Sequence, residues 1–167
     1  MASYRIGRGA IAVAILSALW SAGAHAQALR LIGLDGRAVD LTAAEMSAMP
    51  HAPLTVTVEG KTAAYRGVPL ATLLARIDAP LGKALRGPEL RDVVLVTAQD
   101  GYGAALALAE ADPMMRKQQV ILADEADGHP LGEKQGPYRL VIEGDQRGAR
   151  LVRMVTTIEL KRIGPSP

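Results

Sequence analysis

The sequence predicts a strand-rich α+β domain with two or three short helices. Three observations carry this reading. Short segments of Val, Leu and Ile alternating with polar residues recur along most of the chain, the period of a half-buried strand. Asp-Gly and Gly-Lys pairs separate several of them at hairpin distance. Apolar residues at helical spacing occur only in short windows, and there is no internal repeat and no low-complexity stretch.

The first strands are predicted from Leu29, Leu31 and Val39–Leu41, which flank the turn residues Asp35-Gly36. Thr42-Ala43-Ala44-Glu45 has the spacing of a capping box and opens a short helix that ends before Pro50. Leu54 to Glu59 places Leu and Val inward with Thr and Glu outward, and Gly60-Lys61 turns it into a second strand ending near Tyr65. Pro69 suits a first helical turn, and Leu70, Leu73, Leu74 and Ile77 follow at helical spacing. Ala79 to Pro88, rich in Pro and Gly, reads as a surface loop. Val93 to Val96 is a buried strand, continued by Ala104 to Leu108 beyond the Asp100-Gly101 turn and ended by Glu110-Ala111-Asp112-Pro113. Val120 to Ala123, Tyr138 to Ile142 and Val152 to Leu160 supply the remaining strands.

Ahead of these elements, Arg5 and Arg8 precede an apolar run from Ala10 to Ala22, followed by Ala24-His25-Ala26. A basic start, a short apolar stretch and a small-x-small site predict a secretory signal cleaved after residue 26. The run falls short of the ~20 apolar residues that span a bilayer, so no membrane association is expected after cleavage. Arg5 and Arg8 are separated by Ile6-Gly7, which departs from an adjacent twin-arginine signal. The expectation is a single domain over residues 27–167, located in the periplasm or secreted.

Losing Arg5 and Arg8 lowers Lys plus Arg from 19 to 17, against 17 Asp plus Glu, so the mature chain is formally neutral. A nucleic-acid footprint would need a clustered basic excess, and none is expected. The chain has no cysteine, which removes both disulfides and thiol chemistry. Tyr65, Tyr102 and Tyr138 are the aromatic residues beyond residue 26, so the core must be built from Leu, Val, Ile and Ala.

Several chemistries are excluded by what is missing. Ser47 and Ser166 lie outside any Gly-x-Ser-x-Gly elbow, and no phosphate-loop or dinucleotide fingerprint follows a strand. His51 and His129 are far apart and lack a ligand spacing. Asp124, Glu125, Asp127 and His129 are the one cluster with metal-ligand chemistry; Asp127-Gly128 makes it a solvated hairpin tip, and no metal is expected there.

Four blocks carry a resemblance. Tyr65-Arg66-Gly67-Val68-Pro69-Leu70-Ala71-Thr72-Leu73-Leu74 is similar to Trp-x-Gly-Val-Pro-Leu-x-x-Leu-Leu, and Val93 to Tyr102 ends in Asp-Gly-Tyr. Val120 to Leu131 resembles a strand pair whose hairpin reads Asn-Gly-x-Pro-Leu, and Gly136 to Leu160 holds Gly-x-Arg between two strands, the second basic. In this order they resemble the sulfite-oxidase-type oxidoreductase molybdopterin-binding domain family. The resemblance implies a strand-rich mixed-sheet fold of the sulfite-oxidase-like molybdopterin-binding kind.

By position, the family's arginine before the long strand and its basic residues around Gly-x-Arg, which hold the anionic pterin, are Arg139, Arg150 and Arg153, with Arg147 nearby. Gly144 and Gly148 would let backbone N–H groups approach the same anion. Guanidinium donors suit it because they bind phosphate bidentately. The family's His-Gly reads Gln135-Gly136 here, and its two tryptophans read Tyr65 and Met154. The molybdenum-ligating cysteine would fall within Thr55 to Glu59, where none of Thr, Val, Thr, Val and Glu replaces a soft thiolate. Tyr102, on a loop after a buried strand, joins the candidate set as either a pocket residue or scaffold.

The expected function is therefore a non-catalytic binding module for a small anionic ligand or a periplasmic partner protein. No cofactor is expected, although the resemblance implies that molybdopterin is the group to test. The alternative is a periplasmic molybdenum-dependent oxidoreductase whose metal is held by the pterin dithiolene alone.

Overall fold

The computed structural model describes residues 29–164. The secretory signal expected at residues 1–26 lies outside them. Asp35-Gly36 turns β1 (Leu29–Ile32) back into β2 (Ala38–Leu41), with Gly36 at φ 77°. The capping box then forms as the sequence predicts. The Glu45 amide donates to Thr42 Oγ1, and the Glu45 carboxylate accepts from the Thr42 amide at 2.8 Å, starting α1 (Ala43–Ala48), which buries Met46.

The chain continues through β3 (Ala52–Val58), β4 (Lys61–Pro69) and α2 (Leu70–Ala75). Then come β5 (Asp92–Ala98), β6 (Gly103–Ala107), α3 (Leu108–Ala111), β7 (Val120–Ala126), β8 (His129–Pro130), β9 (Arg139–Ile142) and β10 (Val155–Arg162). One sheet has the order β2-β1-β10-β5-β6 and is mixed, since β1 and β10 run parallel while its other pairs are antiparallel. The second is antiparallel: β3-β4-β7, with β9 against the first half of β7 and β8 against its end. Inward Leu, Val and Ile from both sheets and α2 share one apolar core. The strand-rich α+β architecture with short helices is the one the sequence predicts.

Three elements differ from expectation. β4 does not end near Tyr65 but runs on to Pro69, which makes Pro69 the last strand residue and starts the helix at Leu70. The cause is long-range: Gly67 to Pro69 pair with Ala123 to Ile121 on β7 after a register shift at Arg66/Gly67. The Ala79–Pro88 loop holds a 3-10 turn at Gly82–Ala84, and a second one begins at Gly87. Buried Asp112 pins it by accepting the Gly82 amide, while its other oxygen takes the Met114 amide at 2.7 Å. Finally, the stretch beginning at Val152 is extended strand only from Val155, because Met154 adopts φ 52°.

Candidate functional site

The site is built where the chain passes from one sheet to the other. After β9, residues 143–154 fold back over the sheet edge. The Leu140 amide donates to the Val152 carbonyl at 2.8 Å and the Val155 amide to the Tyr138 carbonyl at 2.9 Å, so the chain returns beside β9 before entering β10. Arg139 and Arg153 thus lie on adjacent backbone, flanked by the same two hydrogen bonds. Between these strands a 3-10 turn, Gly148–Arg150, borders two hollows.

The larger hollow, about 300 Å³, is lined by Val56, Val58, Ala63, Tyr65 and Leu151, with Arg139, Lys61 and Glu59 as its charged groups. The Arg139 guanidinium lies over the Tyr65 ring, 5.3 Å from its centroid, and donates through Nη1 to Gln135 Oε1. Its Nε is buried with no hydrogen-bond partner among the described residues. The guanidinium lines the hollow, and its planar donors have the chemistry to bind an oxyanion.

The smaller hollow, about 220 Å³, lies across the turn and includes Tyr102, Asp100, Arg153, Val152 and Met154. Gly148 and Leu151 line both hollows. The Tyr102 hydroxyl donates to the Ala149 carbonyl at 2.6 Å and braces the turn against the β5–β6 loop. Asp100 is turned onto that loop, accepting the Tyr102 amide at 2.9 Å. Met154 holds its left-handed conformation because its carbonyl accepts from the Gln99 amide and its own amide donates to the Gln135 carbonyl.

The predicted residues are thereby divided. Arg139 and its support Gln135 belong to the larger hollow, Tyr102 and the exposed Arg153 to the smaller, and Gly148 to both. Arg150 lines neither. Its Nη2 and Nε donate to Asp145 at 2.6 and 3.1 Å and its Nη1 to Glu110 at 3.1 Å. The Asp145 hydrogen bonds push that guanidinium further above its already high range, so Arg150 is committed to holding the turn. Arg147 also lies outside both linings. Sequence reading missed Lys61, Leu151 and the role of Tyr65 as a platform for Arg139. Lys61 and Tyr65 arrive from the distant strand β4, while Leu151 caps the Gly148–Arg150 turn, and no local pattern points to them.

The stretch where the resemblance implies a thiolate, Thr55 to Glu59, forms one wall of the larger hollow. Val56 and Val58 face in, while the Thr57 hydroxyl bonds the Thr62 hydroxyl at 2.8 Å. The acidic tip near β8 does not converge. Asp127 accepts the Ala64 amide, Glu125 pairs with Arg66 at 3.1 Å, and Asp124 turns inward to His51. Asp127 and Gly128 have φ 50° and 79°, as a tight hairpin requires.

Comparison with known proteins adds a family and a fold. The family model described as oxidoreductase molybdopterin binding domain matches residues 22–164. A search of curated proteins finds no match. Among solved structures, the crystal structure of the sulfane dehydrogenase SoxCD from Paracoccus pantotrophus superposes with a TM-score of 0.62 at 23% identity. That match covers 80% of this chain and 38% of the other, so the chain spans well under half the length of that neighbour.

Proposed function

This chain belongs to the oxidoreductase molybdopterin-binding domain family, and on that premise we propose that it is an exported, non-catalytic module that binds a small organic anion in the Arg139 hollow. One observation carries the reading: the Arg139 guanidinium lines the hollow, stacked on Tyr65 and held by Gln135, and its buried Nε has no acceptor among the described residues. Such a donor is costly to bury unless a ligand or water completes it. Lys61 adds a second cation, and Val56, Val58 and Ala63 give the ligand's body an apolar wall. Export rests on the leader-like residues 1–26.

The cofactor implied by the family divides against this donor set. An anionic pterin group fits Arg139. Protein ligation of molybdenum does not fit, since the chain has no cysteine and Val56 and Val58 line the wall that should carry it. Among the described residues, no group of three or more His, Asp or Glu is placed to hold a metal either.

The test compares Arg139→Gln with Arg150→Gln, using acetate, inorganic phosphate and sulfate as probes in calorimetric titration. Arg139→Gln should weaken binding about ten-fold or more, the scale of a lost charge-assisted hydrogen bond. Arg150→Gln should lower stability by roughly 1 kcal/mol, because its ion pairs are partly solvated, and leave affinity within about two-fold. Equal affinity in the Arg139 variant overturns the reading.

The second reading is a molybdenum-dependent oxidoreductase whose metal is held by the pterin dithiolene alone, with Tyr102 or Gln135 near open coordination positions. Family membership and the fold shared with a sulfane dehydrogenase favour it. Stoichiometric molybdenum in protein purified from its native host would establish that reading in place of the first.

A further inference from the structure

Gly148 is not required by the backbone. It lies outside the left-handed region, and a Cβ built there would meet nothing closer than Val58 Cγ1, at 3.9 Å. The fold therefore accepts a side chain at this position, and that side chain would project towards the Val58 wall of the larger hollow. Gly148 lines both hollows, so they adjoin at a residue without a side chain.

Cationic groups line both hollows, Arg139 and Lys61 in the larger beside the acid Glu59, and Arg153 in the smaller. On one side the Arg139 guanidinium, held by Tyr65 and Gln135, lines the larger hollow; on the other Arg153 is exposed and lines the smaller hollow. Leu151 lines both hollows, with Val58 an apolar residue of the larger and Val152 of the smaller. The acid of the smaller hollow, Asp100, is turned onto the Tyr102 amide. Arg150, whose guanidinium would otherwise compete for an anion at the turn, is neutralised by Asp145 and Glu110.

We propose that the ligand is two-ended: one oxyanion on Arg139, an apolar middle crossing Gly148, and a second oxyanion on Arg153. This rests on the anion-binding reading above and adds the ligand's class and the residue that selects its length. Molecules with a single anionic end engage Arg139 alone. Linking two ends makes the second contact intramolecular, so affinity rises steeply once the spacer reaches across.

The experiment titrates the purified protein with unbranched α,ω-dicarboxylates of increasing length and with the monocarboxylate of each length. One dicarboxylate length should bind about ten-fold or more tighter than its matched monocarboxylate. Arg153→Gln, an exposed change that leaves the core untouched, should abolish that advantage while monocarboxylate binding persists. Gly148→Leu should remove the advantage as well and, because its side chain projects towards Val58 in the larger hollow, should also weaken monocarboxylate binding, with circular dichroism confirming the fold. If no dicarboxylate exceeds its matched monocarboxylate although Arg139-dependent binding is intact, the two-ended ligand is wrong and the anion-binding module stands. Carboxylate binding that ignores Arg139→Gln removes the module and, with it, this extension.

Discussion

The Nε2 atom of His51 lies 2.9 Å from Oδ2 of Asp124, and the other ring nitrogen of His51 lies 2.7 Å from the Met49 carbonyl. A carbonyl only accepts, so Nδ1 donates to Met49, and Nε2 faces the carboxylate. His51 is nearly inaccessible, its side chain 4% exposed, and one buried oxygen of Asp124 has no partner among the described residues. This contact ties the segment entering β3 to β7, 73 residues away.

Breaking that pair should cost stability on both sides. His51→Gln or Asp124→Asn alone should each destabilise by about 2–3 kcal/mol, below the range for fully buried pairs because Asp124 is partly solvated. In a double-mutant cycle measured by urea unfolding, the coupling should reach about 1–3 kcal/mol. A coupling near zero would mean that the two side chains contribute independently.

Gly67 makes the opposite case from Gly148. A Cβ at Gly67 would lie 2.2 Å from the Leu122 carbonyl oxygen and 2.4 Å from the Ala123 Cα, both rigid backbone of β7. Gly67→Ala should therefore destabilise by about 3 kcal/mol or more, at the upper end of overpacking penalties. Gly148→Ala should change stability by less than about 1 kcal/mol. Urea midpoints for the two variants, measured side by side, check the contrast.

Tyr138 predicts the alkaline limit. Burial, and then the negative charge of Asp124, push its phenol above the usual value of 10.0. The folded-state value is the higher one, so the folded protein binds more protons there. The stability linked to this group is complete below about pH 10 and is lost as pH rises through the folded value. Tyr138→Phe should flatten the fall in denaturant midpoint above pH 10 while leaving the profile from pH 7 to 9 parallel to wild type. An unchanged alkaline slope in the variant would assign the loss to another group.

Local pattern carried much of the fold. The Thr42–Glu45 capping box, the Asp35-Gly36 and Asp127-Gly128 turns and the alternation in Leu54 to Val58 form as read, because caps and turns use neighbouring backbone and strand alternation follows the pleat. The ordered blocks from Tyr65 to Leu160 carried the family. Candidate arginines were legible as residue types, since guanidinium chemistry is intrinsic to the side chain.

Their roles were not legible. Arg139, Arg150 and Arg153 lie within fifteen residues and read alike in sequence, yet one stacks on Tyr65, one is bound by Asp145 and Glu110, and one faces the other hollow. The same holds for the two glycines: the approach of β7 makes Gly67 obligatory, while a Cβ at Gly148 would meet only an ordinary contact with Val58, and Gly148 borders both hollows. The amino-acid sequence by itself determined which segments form strands, where the turns fall and which donors exist. Only the tertiary structure decided which donors are already satisfied. That depends on Tyr65, Glu110 and Val58, residues brought beside the 136–154 segment by strand pairing and core packing across long stretches of chain.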